Sequence, residues 1–228
     1  MFHIPVSVTW ILVIGASIIA VIAQFRVMGA FRRFSKIRTM RGLTGEEVAK
    51  QILRESGISD VEVQRTESWL GDHYDPSKKV LCLSPGVFDS DSVAAVGIAA
   101  HECGHAIQHK EAYWPLQVRM TVVPVTMIAS HLLPLVVIGG FWFGIMGFIT
   151  LGIIVYAILT AFQMITLPVE FDASSRAKQI LYSRGVVLAD EADGVSKVLN
   201  AAAWTYVAAF LSALTHLLHL LAIRDSRD

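Results

Sequence analysis

Apolar and charged positions are sharply segregated along the chain. Residues 1–25, 120–169 and 198–223 contain no Asp, Glu, Lys or Arg, so all 19 basic and 19 acidic residues fall on the rest. A helix rises about 1.5 Å per residue and a bilayer hydrocarbon core is about 30 Å thick, so roughly 20 apolar residues cross once. Residues 4–25 therefore predict one span. The middle stretch would be roughly 75 Å long as a single helix and has to double back. Gly139 and Gly140, with Gly144 and Gly147 close by, mark the expected turn, between a helix ending near Ile138 and a second over 143–167. Residues 200–223 predict a fourth span. The residues before Ile4 lack the basic start of a cleavable signal, so the first span reads as a retained anchor.

The polar segments have a different texture. Thr44 and Glu47 have capping-box spacing ahead of Val48, Ile52 and Leu53, which predicts a helix over 45–56 closed by Gly57. Val61 and Val63, then Val80, Leu81 and Leu83, form two short β-rich runs separated by turn residues that include Gly71 and Asp75-Pro76. Ser84-Pro85-Gly86 ends the second run. Asp89, Ser90 or Asp91 then caps an alanine-rich helix reaching about Lys110. Further on, Pro168 suits the first turn of a helix that ends at Gly185.

These readings define a predominantly α integral membrane protein with four transmembrane helices and a small cytoplasmic α+β domain. Its expected organisation is an anchor at 1–25, a cytoplasmic segment at 26–118, a transmembrane hairpin at 119–167, cytoplasmic helices at 168–199, a fourth span at 200–223 and a tail at 224–228. Composition agrees: 54% hydrophobic, 17% charged and a mean hydropathy of +0.55, against roughly 25% charged in soluble domains. Two cysteines, Cys82 and Cys103, exclude a disulfide scaffold, and a net charge of zero gives no reason to expect nucleic acid as a partner. Orientation follows from Arg26, Arg32, Arg33, Lys36, Arg38 and Arg41, which precede any acid and hold that side in the cytoplasm. The N-terminus is then outside, and 26–118 and 168–199 share the cytoplasmic face.

Within the alanine-rich helix stands His101-Glu102-Cys103-Gly104-His105, an H-E-x-x-H pattern. Residues four apart lie on one helix face, so both imidazoles can reach one Zn²⁺. Glu102, turned about 100° from His101, sits beside the metal, placed to take a proton from an attacking water. The plain alternative is a surface histidine pair. A catalytic zinc needs a third protein ligand from the same side of the membrane. Glu170 and Asp172 are the acids of the returning helix, about 200° apart around its axis, so one face offers only one of them. Ala173, Ser174 and Ala177 accompany Glu170 on a small-residue face able to approach the motif helix. Asp172 faces elsewhere, at i,i+4 to Arg176. Glu170 is the expected third ligand.

The runs His101-Glu102-Cys103-Gly104-His105-Ala106, Gly71-Asp72-His73-Tyr74-Asp75-Pro76 and Val169-Glu170-Phe171-Asp172-Ala173-Ser174 together resemble the YugP-type membrane zinc metallopeptidases of bacteria. The resemblance covers nearly the whole chain. It implies a multi-pass protein of the bacterial plasma membrane, of gluzincin type and with a zincin-like domain, holding one Zn²⁺ per chain on His101, His105 and Glu170, with Glu102 as catalytic base. More distantly the order of motif, hairpin and glutamate is similar to the CAAX-protease and HtpX-type membrane proteases, which carry an Asp four residues after the ligand Glu. Here that position is Ser174, which supports a histidine more weakly than an ionised acid.

Other polar residues carry weaker expectations. His73 and Tyr74, in the turn before residues 80–83, are candidate oxyanion donors or simple packing residues, and the strand over 80–83 is the candidate to pair with an extended substrate. Cys103 points away from the histidines as a small buried residue, and His109 is expected to be exposed. His131, His216 and His219 lie inside spans, where interhelical hydrogen bonding is the default and a second metal the bolder reading. The expected function is a membrane-embedded zinc-dependent endopeptidase that hydrolyses peptide bonds with activated water, acting on a protein or peptide substrate associated with the bilayer. The alternative is a membrane adaptor or scaffold that retains a structural zinc. A structural site does not need Glu102, and it ordinarily closes with a fourth ligand.

Overall fold

The long apolar stretches become long helices. A computed structural model describes residues 5–67, 71–143 and 146–226. Their elements are α1 (Val6–Phe34), α2 (Gly45–Glu55), β1 (Glu62–Arg65), β2 (His73–Asp75), β3 (Val80–Leu83), α3 (Pro85–Phe88), α4 (Val93–Lys110), α5 (Trp114–Phe143), α6 (Met146–Ser183) and α7 (Ala189–Asp225). The chain is mostly helical, with one small sheet. Among the described residues, four helices are long and apolar enough to cross a membrane: Val6–Phe34, Trp114–Val136, Met146–Ser183 and Ala189–Asp225.

Two compact units are present. One comprises residues 1–24, 118–167 and 204–228, the other 25–117 and 168–203. In the first, Ile11, Ile128, Ile138 and Met164 are among many large apolar side chains more than half exposed, a surface suited to lipid and not to water. The expected turn at Gly139 and Gly140 is not there: α5 stays helical through both to Phe143. A Cβ on Gly139 would lie 2.6 Å from the Phe148 ring, so this glycine serves close helix packing instead of a bend. Gly144 falls outside the described residues, and Gly147 is already in α6.

Three described histidines of this unit, His131, His216 and His219, each have a hydrogen-bond partner. Thr9 donates its hydroxyl to the Val6 carbonyl at 2.8 Å, and its oxygen lies 2.8 Å from Nδ1 of His219, tying α1 to α7. His216 bonds the Ser212 carbonyl and stacks on Tyr156 at 5.1 Å, while His131 bonds the Met127 carbonyl. Of these three histidine hydrogen bonds only that of His219 is interhelical, since an imidazole four residues from a carbonyl on its own helix can satisfy itself locally.

The second unit is built around α4, most of whose residues are buried. Val48 and Ile52 of α2, Leu81 and Leu83 of β3, and Ala177 and Leu181 of α6 share its core. Thr44 and Glu47 form the complete capping box of α2. The cap of α4 is Ser92, whose hydroxyl accepts from the Ala95 amide, and not Asp89, Ser90 or Asp91. Asp91 is occupied instead by Arg38. A strand unforeseen in the sequence, β2, occupies the polar turn. The sheet order is β1-β3-β2, with β1 and β3 parallel and β2 antiparallel to β3. The central position of β3 leaves it no free edge, which removes it as a place for substrate pairing.

Pro168 does not open a new helix. It lies inside α6, and residues 168–183 continue the helix that begins at Met146. A proline removes one backbone donor and disfavours a helix interior by about 3 kcal/mol. Burial of Val169, Ala173, Ala177 and Leu181 just downstream, each at 0% exposure, offsets that cost and holds the helix. Residues 189–199 and the apolar stretch after them are likewise one helix, α7.

Candidate metal centre

Helix α4 and residues 168–183 of α6 meet in antiparallel register, and a contact recurs at every turn. His101 faces Ser174, Gly104 faces Ala173, His105 faces Glu170, and Gln108 faces Val169. The small-residue face expected on α6 is the one that packs here. A Cβ on Gly104 would come within 2.7 Å of the Ala173 carbonyl oxygen, so glycine at this position permits the approach that brings Glu170 to the histidines.

Glu170 Oε2 lies 3.2 Å from Nε2 of His101 and 3.6 Å from Nε2 of His105. The two imidazoles stand edge to face with centroids 4.8 Å apart. One ligand atom from each of the three residues falls within 4.8 Å of the others. The Glu170 side chain is 3% exposed, against 14% and 10% for those of His101 and His105. Burial alone would raise the Glu170 carboxyl, but hydrogen bonds from the two histidines outweigh it and hold the group well below the ordinary carboxylate range. Burial would lower His105, yet its bond to Glu170 and the charge of Glu102 raise it. Glu102 is itself buried, on the same helix and adjacent in sequence to His101.

A further layer supports the imidazoles. Ser174 Oγ is 3.1 Å from His101 Nδ1. On His105, Nδ1 is 3.0 Å from the side-chain oxygen of Gln108, whose amide nitrogen donates to the Val169 carbonyl and to Asp172, both at 2.8 Å. Asp172 also accepts from Arg176 at the expected i,i+4 spacing, and Arg176 pairs with Glu111 at 2.6 Å. Asp172 thus stays out of the three-residue cluster while touching its support. Sequence reasoning missed Gln108, although its place three residues after His105 puts it on the histidine face of α4.

The remaining candidates lie apart from the cluster. His73 is exposed, with Nδ1 2.6 Å from the Gly71 carbonyl. Tyr74 bonds Nδ1 of His109 at 2.8 Å, and burial, with Asp60 and Asp75 nearby, pushes its hydroxyl up to about 12. His109, expected in solvent, is half-buried by this contact with β2. The hydrogen bonds described for His73 and Tyr74 run to the Gly71 carbonyl and to His109. Cys103 is fully buried, its thiol directed to the Ala49 carbonyl and pushed up by burial, and both cysteines are free.

Two imidazole nitrogens and one carboxylate oxygen are the donor set of a catalytic zinc site. Ligand atoms held tetrahedrally at 2.0 to 2.1 Å from one ion stand about 3.3 Å apart, close to the two distances to Glu170. The residues fit the ion.

Helices able to cross a membrane and a buried two-histidine, one-glutamate cluster define a membrane protein with a candidate metal site. The chain belongs to the family described as "Putative neutral zinc metallopeptidase", whose model matches residues 9–225. It is also similar to "Putative membrane protease YugP" of Bacillus subtilis (strain 168), at 47% identity over 201 residues that cover 88% of this chain and 89% of that protein. No solved structure matches.

Proposed function

We propose that this protein is a zinc-dependent endopeptidase of gluzincin type, with a zincin-like cytoplasmic domain on four membrane spans. The observation that carries the reading is the convergence of His101, His105 and Glu170 around one point, with the buried Glu102 beside them on α4. His101, His105 and Glu170 hold one Zn²⁺ per chain. When bound, the ion supplies Lewis acidity, which makes water nucleophilic near neutral pH and polarises a peptide carbonyl. Glu102 takes the proton of the attacking water and delivers it to the departing amine. Ser174 and Gln108 hold the two rings in place from behind. The outer edge of β2, which packs on α4, is the edge at which an extended substrate strand adds. His73 and Tyr74 then act as support along that edge. The substrate is a protein or peptide held near the bilayer.

Purified wild-type protein in detergent should cleave an unstructured protein substrate, lose that activity to a chelator and recover it when zinc is returned. A protein that binds one zinc yet cleaves nothing, before or after metal exchange, would favour the scaffold reading.

The proposed topology puts the N-terminus outside and the site in the cytoplasm of a bacterium. The contact of α4 with Glu170 across an intervening apolar stretch of 50 residues supports it, since a hairpin crosses twice and returns to the same side. In intact cells, Asp190→Cys should resist a membrane-impermeant thiol reagent while Gly140→Cys reacts. Labelling in the opposite pattern would invert or dismantle the four-span arrangement.

A further inference from the structure

We infer that Gln108 is a positioning residue that selects the tautomer of His105 and so decides which imidazole nitrogen is offered to the metal; this rests on the reading of His105 as a ligand. The hydrogen-bond arithmetic leaves one arrangement. The Gln108 amide nitrogen has two N–H groups, and it lies 2.8 Å from the Val169 carbonyl oxygen and 2.8 Å from Asp172 Oδ2. A backbone carbonyl only accepts, and the Asp172 oxygen already accepts from Arg176 Nε. Both N–H groups of the amide are therefore spent on α6, which fixes the flip of the side chain. Its oxygen must then face His105 Nδ1, at 3.0 Å.

An amide oxygen cannot donate, so Nδ1 of His105 has to carry the hydrogen. With Nδ1 committed to donating, Nε2, the nitrogen that faces Glu170, is the one that can give up its hydrogen and offer a lone pair to a metal ion. Gln108 is wholly buried, so no water competes for these bonds. The arrangement at His101 is weaker in this respect. Ser174 presents a hydroxyl, which donates or accepts equally well, so it orients that ring without choosing its tautomer. Thus the carboxylate sought at position 174 has a counterpart two residues earlier: Asp172 acts on the other histidine, at one remove, through Gln108. Arg176 and Glu111 anchor the far end of the chain of bonds.

Two readouts test this, neither of them activity. In metal-free wild-type protein labelled with 15N-histidine, recorded in detergent and mildly alkaline buffer, the two-bond proton-nitrogen correlations of His105 should show the hydrogen on Nδ1; His105→Ala identifies the signal. In Gln108→Met, which keeps volume and removes both functions of the amide, the Nε2–H form should appear. Zinc affinity, measured by chelator competition on the folded fraction, should fall about 10- to 100-fold, as for other groups that hold a metal-binding histidine. A His105 Nδ1 that carries no hydrogen in the wild type, or wild-type affinity in folded Gln108→Met, would overturn the inference. If Gln108→Met does not fold, the wild-type spectrum alone decides. If the wild type binds no zinc, the metal reading fails separately, while the tautomer in the metal-free protein still decides the role of Gln108.

Discussion

Glu170→Ala is expected to strip the protein of its zinc. Glu170 is the donor furthest away in sequence, 69 residues from His101, and its carboxylate is the point on which both Nε2 atoms converge. Without it two imidazoles remain, fewer than the three protein ligands of a catalytic site. Groups that touch only the back of a ligand already cost about 10- to 100-fold in affinity, so loss of a ligand should exceed the upper end of that range. His101→Ala and His105→Ala should behave alike. Asp172→Ala removes none of the three donors and should keep its zinc, with affinity reduced only as far as Gln108 loses one of its two anchors. Metal analysis of the four variants, each corrected for folded fraction, checks the assignment. Full zinc occupancy in Glu170→Ala would dismiss Glu170, and loss in Asp172→Ala alone would move the third-ligand role there.

The three candidate donors were legible because each rests on a local regularity. His101 and His105 follow from helical periodicity, and Glu170 from the small residues at 173, 174 and 177, which mark the packed face of α6. The capping box at Thr44 was equally local. What could not be read depends on contacts between distant segments. Pro168 looks like a helix start until the burial of the residues after it is known. Gly139 looks like a turn residue until Phe148 is seen against it. Strand β2 is three residues long and forms because β3 offers it a partner, a pairing that no pattern within residues 73–75 announces. Gln108 was passed over for the same reason: a glutamine in a helix gives no signal until its two acceptors on α6 are in view.

Glu102→Gln carries the other large effect. The substitution keeps the size and shape of a buried side chain and removes only its ability to accept a proton, while His101, His105 and Glu170 stay intact. Zinc should therefore be retained. General-base assistance contributes typically 10² to 10⁴ in rate, so hydrolysis should fall by at least about a hundredfold. A loss of zinc in this variant would mean that the Glu102 carboxylate supports the metal directly.

The most direct test is the hydrolysis rate per bound zinc, measured side by side for the wild type and Glu102→Gln on one peptide substrate. The account predicts one zinc per chain in both and a rate at least about a hundredfold lower in Glu102→Gln. Equal rates at equal zinc content would contradict it.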